Sequence, residues 1–592
     1  VTNAGGPGAL ATDMLVSSGG QLSPLSQECI TKLSTFLPAP WSQGNPIDIL
    51  GDADEKRYAS ALEVAMAEPN SDGVLVILTP QAMTNALATA TAMRPYVHSS
   101  GKPVLASWMG GADVDPGRHI LTETGFPVFE YPDMAARAFS YMWRRAENLR
   151  SIYETPALHT ADNDENGARE KTKAVIRQVQ SEGRTLLTEF EAKKVVASYG
   201  IPVVETRIAL KEDDAVAEAN SLGYPVAVKL HSETITHKTD VGGVHLNVGD
   251  AEAVRLAWRA IEKSVGERAG KQHFLGVTVQ QMVPRNGYEL ILGSSVDQQF
   301  GPVLLFGAGG ELVEVFKDRA LALPPLTANL AKLVIKQTKI QAALRGVRGK
   351  GSVDMPALEQ LLVRFSQLVA ENPRIKEIDI NPLLASETRI IALDARVILH
   401  DASVPDAKLP KLAIRPYPFE YVSQQKLKDG TAITVRPIRA EDETLMVDFH
   451  HSLSTNSVYS RYFEFLHLEQ RIAHERLARI CFIDYDREIA LVAELKDPAT
   501  GERKILGVGR LIKQPRGDSG EFAILIGDPW QGRGLGSLLM KLVVGIGRSE
   551  GLKVIQGDIL RDNIGMKEIT RKAGFRHIHP PGESTIRAEL SL

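Results

Sequence analysis

An α/β protein of several domains is what this sequence predicts, on three observations. The chain has 592 residues, too many for one hydrophobic core. Through its first 150 residues, short continuous apolar runs alternate with helical stretches, the pattern of a parallel sheet covered on both faces. Near its end the apolar run Gly520-Glu-Phe-Ala-Ile-Leu-Ile526 leads into the turn Gln531-Gly-Arg-Gly-Leu-Gly536, which opens a helical run from Ser537 to Arg548. That arrangement is a further strand–turn–helix unit.

The first region, residues 1 to 150, is expected to be flavodoxin-like. Its strands are Gly73-Val-Leu-Val-Ile-Leu78, Lys102-Pro-Val-Leu-Ala106 and Phe126-Pro-Val-Phe-Glu130, and an Ala-rich helix follows near Met134 to Arg145. The opening Val1-Thr-Asn-Ala-Gly-Gly-Pro-Gly8 leaves very little strand before a glycine turn, whereas a buried strand takes about four to eight residues. The first strand is therefore expected to be incomplete, with the natural chain continuing upstream. Residues 151 to 184 read as a linker and a helix, the linker being the polar, aperiodic stretch from Thr155 to Ala168.

The middle region, residues 185 to 400, opens with a helix around Thr188 to Ala197 and continues with strands and helices. In Tyr224-Pro-Val-Ala-Val-Lys-Leu230 a lysine closes a buried strand, where it must find an anion or carry its stem out to water. The next loop, His231-Ser-Glu-Thr-Ile-Thr-His-Lys-Thr-Asp-Val-Gly-Gly-Val244, is dense in donors and closed by two glycines. Asp379 and Asn381 in Glu377-Ile-Asp-Ile-Asn-Pro-Leu383, with Asp394, offer hard oxygen ligands of the kind a nucleotide-bound Mg²⁺ takes. The glycines of Phe306-Gly-Ala-Gly-Gly310 shape a strand end, since no helix with a later acidic partner follows them.

In their order these motifs, with Tyr288-Glu-Leu-Ile-Leu-Gly293, resemble the ATP-grasp domain of the NDP-forming acyl-CoA synthetases. The resemblance implies that Lys229 contacts ATP phosphate, that Glu289 lies on the nucleotide side, and that Asp379, Asn381 and Asp394 hold Mg²⁺. His237 and Lys238 match the family's HK-x-D-x-GG loop, in which the histidine relays phosphate in some members; for His237 itself a structural role stands as the alternative. Val1 to Gly8, Asn45-Pro-Ile-Asp48 and Gly51-Asp52 resemble the second CoA-ligase subdomain of the same synthetases. Nothing here corresponds to that family's CoA-binding Rossmann subdomain or to the loop bearing its main phosphohistidine.

A seam with four prolines, residues 401 to 428, leads into residues 429 to 592. There the order is the strand Ile433-Thr-Val-Arg-Pro-Ile438, the strand ending in the QGRGLG turn, a helix, the strand Lys553-Val-Ile-Gln-Gly-Asp-Ile559, Asn563, a second helix and Gly574-Phe575. A glycine turn at a helix start presents several backbone N–H groups to one point and suits a pyrophosphate. This order resembles the GNAT acetyltransferases, which implies an α+β domain. The resemblance implies acetyl-CoA held at Gln531, Gly532, Arg533, Gly534, Leu535 and Gly536, with Asn563 bonding cofactor or backbone, or else capping its own helix. Glu521 matches the catalytic glutamate; by pattern alone it would read as a solvated strand end.

A carboxylate is a weak base for lysine, whose ordinary pKa is about 10.4, so an apolar surround from Phe522 and Trp530, or a water relay, is expected. Thr570 stands where many relatives carry a tyrosine that protonates the leaving thiolate, and its hydroxyl is a poor acid. Asp484 and Asp486 either attract a cationic lysine or form a charged turn that pairs internally.

The whole chain resembles the large bacterial protein lysine acetyltransferases, in which a regulatory synthetase-like region precedes a GNAT domain. That implies protein lysine substrates, acyl-CoA synthetases among them, with acetyl-CoA as donor and ATP and Mg²⁺ as further ligands. Two other readings stand beside it: an ADP-forming acyl-CoA (acetate–CoA) synthetase, and a nucleotide- or acyl-CoA-sensing module controlling the transferase. A net charge of −4 gives no electrostatic case for nucleic acid. No apolar run is long enough for a membrane span. Cys29 and Cys481 lie far apart without metal-ligand spacing, so a reducing cytoplasm is expected. A homo-oligomer is compatible with the sequence.

Overall fold

The structure is a computed structural model that describes residues 1–96, 101–155, 165–235, 237–284, 286–310, 318–347, 351–515 and 517–592. It divides into two compact units, Val1–Ile152 and Tyr153–Leu592.

In the first unit, β1 (Val74–Leu78), β2 (Val104–Trp108) and β3 (Val128–Phe129) form a parallel sheet in that order. All five residues of β2 are buried, as a strand with helices on both faces requires. The helices Glu55–Ala67, Asp115–Thr124 and Pro132–Ile152 pack on the sheet. Thr2 makes parallel bridges to both Ile77 and Asp48. The opening residues thus extend the sheet's pairing by a single bridge on each side, and residues 1 to 3 have no longer strand.

The middle of the second unit holds two sheets. The first joins β4 (Thr206–Ala209), β5 (Val226–His231), β6 (Val244–Val248) and β7 (Gly276–Gln281) in the order β4-β7-β5-β6, with Glu212–Leu222 and Ala251–Arg268 packed on it. The second contains β8 (Tyr288–Asp297), β9 (Gly301–Ala308), β10 (Arg319–Ala322), β11 (Ile375–Ala385) and β12 (Ile390–Ala392) in the order β10-β9-β8-β11-β12, and β13 (Arg396–Leu399) pairs with β11. The helix Met355–Glu371 supplies Leu358, Leu362, Phe365 and Leu368 to the core beneath this second sheet.

The C-terminal sheet has eight strands, β14 (Ser423–Lys426), β15 (Ala432–Pro437), β16 (Glu488–Lys496), β17 (Arg503–Lys513), β18 (Ser519–Ile526), β19 (Val554–Leu560), β20 (Arg576–Ile578) and β21 (Thr585–Ser591), ordered β14-β15-β16-β17-β18-β19-β21-β20. Every pairing is antiparallel except β18 with β19. One face carries the helix Leu535–Ser549. Gly507 and Gly509 let it approach closely, because a Cβ at Gly509 would lie 3.3 Å from Leu539. The opposite face packs Met446 and Phe449 of the helix Glu443–His451 against Val508.

Candidate active site and nucleotide site

Only three residues of β18 pair with β19: Ser519, Gly520 and Glu521. Beyond Glu521, β18 runs on to Ile526 without a ladder to β19, so the sheet opens on that side and leaves backbone groups to be satisfied by something else. Glu521 sits at the opening. Because side chains alternate along a strand, Glu521 shares its face with Ala523 and Leu525, while Phe522 and Ile524 point into the core under the Leu535–Ser549 helix.

The expected apolar surround of Glu521 is therefore not there. Phe522 is buried on the other face, its ring 5.1 Å from Phe575, and Trp530 lies beneath the Arg533 guanidinium at 4.7 Å. Glu521 is exposed, and its charged neighbour is Arg461.

The turn after β18 is built to leave donors free. A short 3₁₀ turn, Asp528–Trp530, is held by Asp528, which accepts from Ser457 Oγ (2.6 Å) and Ser454 N (3.2 Å). Gln531 is spent on the same scaffold, its Nε2 donating to Ser457, Asp528 and the Ile526 carbonyl. Gly532 and Gly534 take φ of 75° and 90°, the left-handed region that favours glycine. Gly534 caps the helix, and Arg533 pairs with Asp429 at 3.0 Å. Leu535 is buried in the core. Gly536 lies against Ile569, where a Cβ would come within 2.8 Å.

Among the described residues, the backbone N–H groups from Gly532 to Ser537 donate to no acceptor. Six successive free amides at the positive end of a helix are chemically matched to a diphosphate. Asn563 caps the helix Ile564–Lys572 through Oδ1, which accepts from Met566 N at 3.0 Å. Thr570 is wholly buried, its hydroxyl within reach of the Met566 and Lys567 carbonyls and of His577 Nε2, so it is turned away from any leaving group. Asp484 accepts from the Asp486 amide and pairs with Arg487, which makes this stretch a charged turn.

In the middle region three lysines converge on one buried carboxylate. Glu189 Oε1 receives Lys193 at 2.7 Å and Lys229 at 3.1 Å, and Lys238 bonds Oε2. Lys229 also reaches Asp394 and the Leu393 carbonyl, each at 3.4 Å. Burial works to raise the Glu189 pKa, but the charges of Lys229, Lys193 and Lys238 outweigh it and hold the carboxyl well below its usual range. Burial, with the neighbouring Lys229, pushes Lys193 down to about 8, while Glu189 opposes the fall. Three cations against two acids, Glu189 and Asp394, leave positive charge for which an incoming phosphate is a natural partner.

Lys238 is brought in by its loop. Gly242 takes φ of 69°, and Gly243 lies so close to Leu230 that a Cβ would approach to 2.9 Å, with main-chain bonds of 2.7 Å from Gly243 to Lys238 and from Leu230 to Gly243. His237, at the head of this loop, is exposed, and its side chain makes no hydrogen bond to another described residue. Glu289, on β8, stands against Gly310, where a Cβ would meet its Oε2 at 2.6 Å.

Asp379 pairs in register with Arg396, and Asp394 lies two residues before it. Burial, then the charge of Glu377, with Asp394 adding to it, pushes the Asp379 carboxyl up to about 6 against the pull of Arg396. Asn381 is half-buried, and its side chain makes no hydrogen bond to another described residue. Among the described residues no three His, Cys, Asp or Glu side chains gather as a metal cluster. Two carboxylates whose charges repel, with an amide alongside, still fit a Mg²⁺ that keeps most of its waters.

Glu189 and Lys193 were invisible as site residues in the sequence. Their spacing of four looks like an ordinary helical ion pair, and the only signal was the capping box of Thr188 and Glu191 that starts the helix.

Fold and site together define an ATP-grasp ligase body joined to an acetyltransferase domain. Family models match at residues 1–150 (Ligase-CoA domain), 178–399 (ATP-grasp domain) and 432–576 (Acetyltransferase (GNAT) domain). An acetate–CoA ligase [ADP-forming] I of Archaeoglobus fulgidus is 37% identical over 67% of this chain and 56% of its own length. The beta subunit of acetate–CoA ligase [ADP-forming] I of Pyrococcus furiosus is 40% identical over 39% of this chain and 98% of its own length. The chain belongs to the family of ADP-forming acetate–CoA ligases, and it carries a GNAT domain after its Ligase-CoA and ATP-grasp domains. It spans about half the length of the Archaeoglobus relative. A crystal structure of the GNAT domain of an S. lividans protein, PAT, is 25% identical over 30% of this chain and 99% of its own, with a TM-score of 0.27. The GNAT assignment rests on the family model rather than on that score. No helix of the described residues is long and apolar enough to cross a membrane.

Proposed function

We propose that the C-terminal domain transfers acetyl from acetyl-CoA to lysine side chains of proteins, acyl-CoA synthetases among them. One observation carries this reading: a carboxylate stands where β18 and β19 part, and six unpaired amides follow at the end of the same strand. The amides of Gly532 to Ser537 bind the pyrophosphate, which sets the thioester in the opening. Glu521 takes the proton from the lysine ammonium, directly or through water. The freed amine forms the N–C bond at the thioester carbonyl, the C–S bond breaks, and the second proton of the nitrogen passes through solvent to the departing sulfur. The thiolate, with a pKa near the 8.5 or so of free cysteine, leaves without a protein acid, since the Thr570 hydroxyl is already engaged.

Incubation of the chain with acetyl-CoA and an acyl-CoA synthetase, without ATP, is expected to acetylate lysine. Glu521→Gln is expected to lower kcat/KM by about 10²- to 10⁴-fold. Equal rates for the two proteins would remove Glu521 as the base.

The preceding region binds ATP through Lys229, Lys238 and the surrounding charge, with Asp379, Asn381 and Asp394 as the residues that would hold Mg²⁺. When bound, that ion would screen phosphate charge. In the first reading this region regulates the transferase. A second reading, ADP-forming acyl-CoA ligation, is favoured by the lysine cluster on Glu189 within a region 40% identical to a ligase subunit.

A further inference from the structure

Below the open end of β18 lies a cavity of about 470 Å³, and its walls are cationic. Ala523 and Leu525, on the Glu521 face of β18, form part of its floor, so the cavity and the candidate base share one side of the sheet. Four arginines line it: Arg461, Arg476, Arg479 and Arg510. Two acids face them. Glu488 is used up by Arg510, to which it is ion-paired, and Arg510 also donates to the Ile480 carbonyl at 2.6 Å. Glu475 is exposed and pairs with none of the arginines.

Arg461 and Arg476 both set their guanidinium carbons over the ring of Tyr462, at 5.0 and 4.8 Å. Among the described residues neither is hydrogen-bonded or ion-paired to a carboxylate, and Arg476 Nε is buried without a hydrogen-bond partner. Burial, with Arg510 and Arg476 adding repulsion, lowers the Arg461 pKa against the pull of Tyr462 and Glu521. The Tyr462 ring and the Glu521 charge offset part of the repulsion between these like charges, and an incoming anion would offset more. A planar carboxylate fits, because each guanidinium can offer it two parallel N–H groups. A single methyl, as in acetyl, satisfies none of these donors.

We propose that this cavity is a carboxylate-binding pocket of the transferase, so that the preferred reaction partner carries a carboxylate beside the reacting centre. The inference rests on the reading of Glu521 as the base. Two sources supply that chemistry: an acidic side chain next to the target lysine, or the far carboxylate of a dicarboxylic acyl thioester. The acid would bridge Arg461 and Arg476, with Arg479 at the mouth.

The test uses the full chain with matched pairs of reactants. Lysine peptides carrying Glu or Gln beside the lysine are compared with acetyl-CoA as donor, and succinyl-CoA is compared with acetyl-CoA on the Gln peptide. Binding of the same peptides and thioesters is measured by calorimetry, independently of turnover. One pair is expected to show a preference of about tenfold for the carboxylate, falling to near unity in Arg461→Gln and, from the exposed mouth, in Arg479→Gln, with folding checked by melting temperature. The pair that responds names the source. If both partners in both pairs bind and react alike, the pocket is overturned. If no lysine is acylated but carboxylate-dependent binding persists and is lost in the arginine variants, the pocket stands and the lysine-transfer reading falls. If no lysine is acylated and binding does not distinguish the partners, both fall.

Discussion

Gly534 holds φ at 90° between β18 and the helix it caps, and only glycine occupies that conformation without strain. Gly534→Ala keeps the chain folded, since the added Cβ meets only the flexible stem of Lys428, at 3.0 Å. The strain, of order 1–3 kcal/mol, falls on the turn that aims the free amides. Calorimetry is expected to show acetyl-CoA binding weakened by about tenfold, with little change in the affinity of the region before residue 400 for ATP. Unchanged acetyl-CoA affinity would mean that the amides from Gly532 to Ser537 are not the diphosphate site. This glycine was legible in the sequence because its requirement is local. Glu189 was not: what makes it a site residue is Lys229, forty positions away, and Lys238 beyond that. Contacts of that range leave no mark on local spacing.

At the scale of elements, the strands and the QGRGLG turn were readable as continuous apolar runs and glycine punctuation, but the facing of single side chains was read less well. Phe522 was expected beside Glu521, yet adjacent residues on a strand point to opposite faces, and Phe522 is spent on the core. The helix Glu443–His451 holds a feature with a pH signature. His450 is 1% exposed, both ring nitrogens lack hydrogen-bond partners, and burial, with Arg471 and Arg476 nearby, pushes its pKa down to about 4. In the unfolded chain it titrates near 6.5. Between these values the unfolded state binds the proton and the folded state does not, so the His450 contribution is complete above about pH 6.5 and is lost as pH falls toward 4. Lowering pH from 6.5 to 5 is expected to cost the C-terminal domain about 2 kcal/mol from this residue. His450→Phe keeps an aromatic body and leaves no bond unmade, so calorimetric melts of the variant should flatten over that range. A slope identical to the parent's would assign the pH dependence elsewhere.

For the whole molecule, a body from a family named for making acetyl-CoA precedes a domain from a family that uses acetyl-CoA. The short segment Tyr153 to Thr155, which follows the first unit and precedes the ATP-grasp region, bears on both. Tyr153 Oη donates to Glu443 at 2.7 Å and Thr155 Oγ1 to Glu441 at 2.8 Å, at the start of the helix that walls the arginine-lined cavity, while Glu154 accepts from Asn329 in the ATP-grasp region. These bonds tie the ATP-grasp region and the start of the transferase helix to one short segment. The ligase reading needs turnover, and it parts from the regulatory one on one measurement. If the body is regulatory, ATP with Mg²⁺ raises the melting temperature of the full chain, by an amount corresponding to about 2.7 kcal/mol at a hundredfold excess over Kd, and no ADP appears when acetate and CoA are added. If it is a ligase, ADP release depends on both. In either case Lys229→Ala should abolish the ATP response, because Lys229 is the cation that closes the strand facing Glu189 and Asp394. An ATP shift that survives Lys229→Ala would place the nucleotide somewhere other than the lysine cluster and remove both readings of this region together.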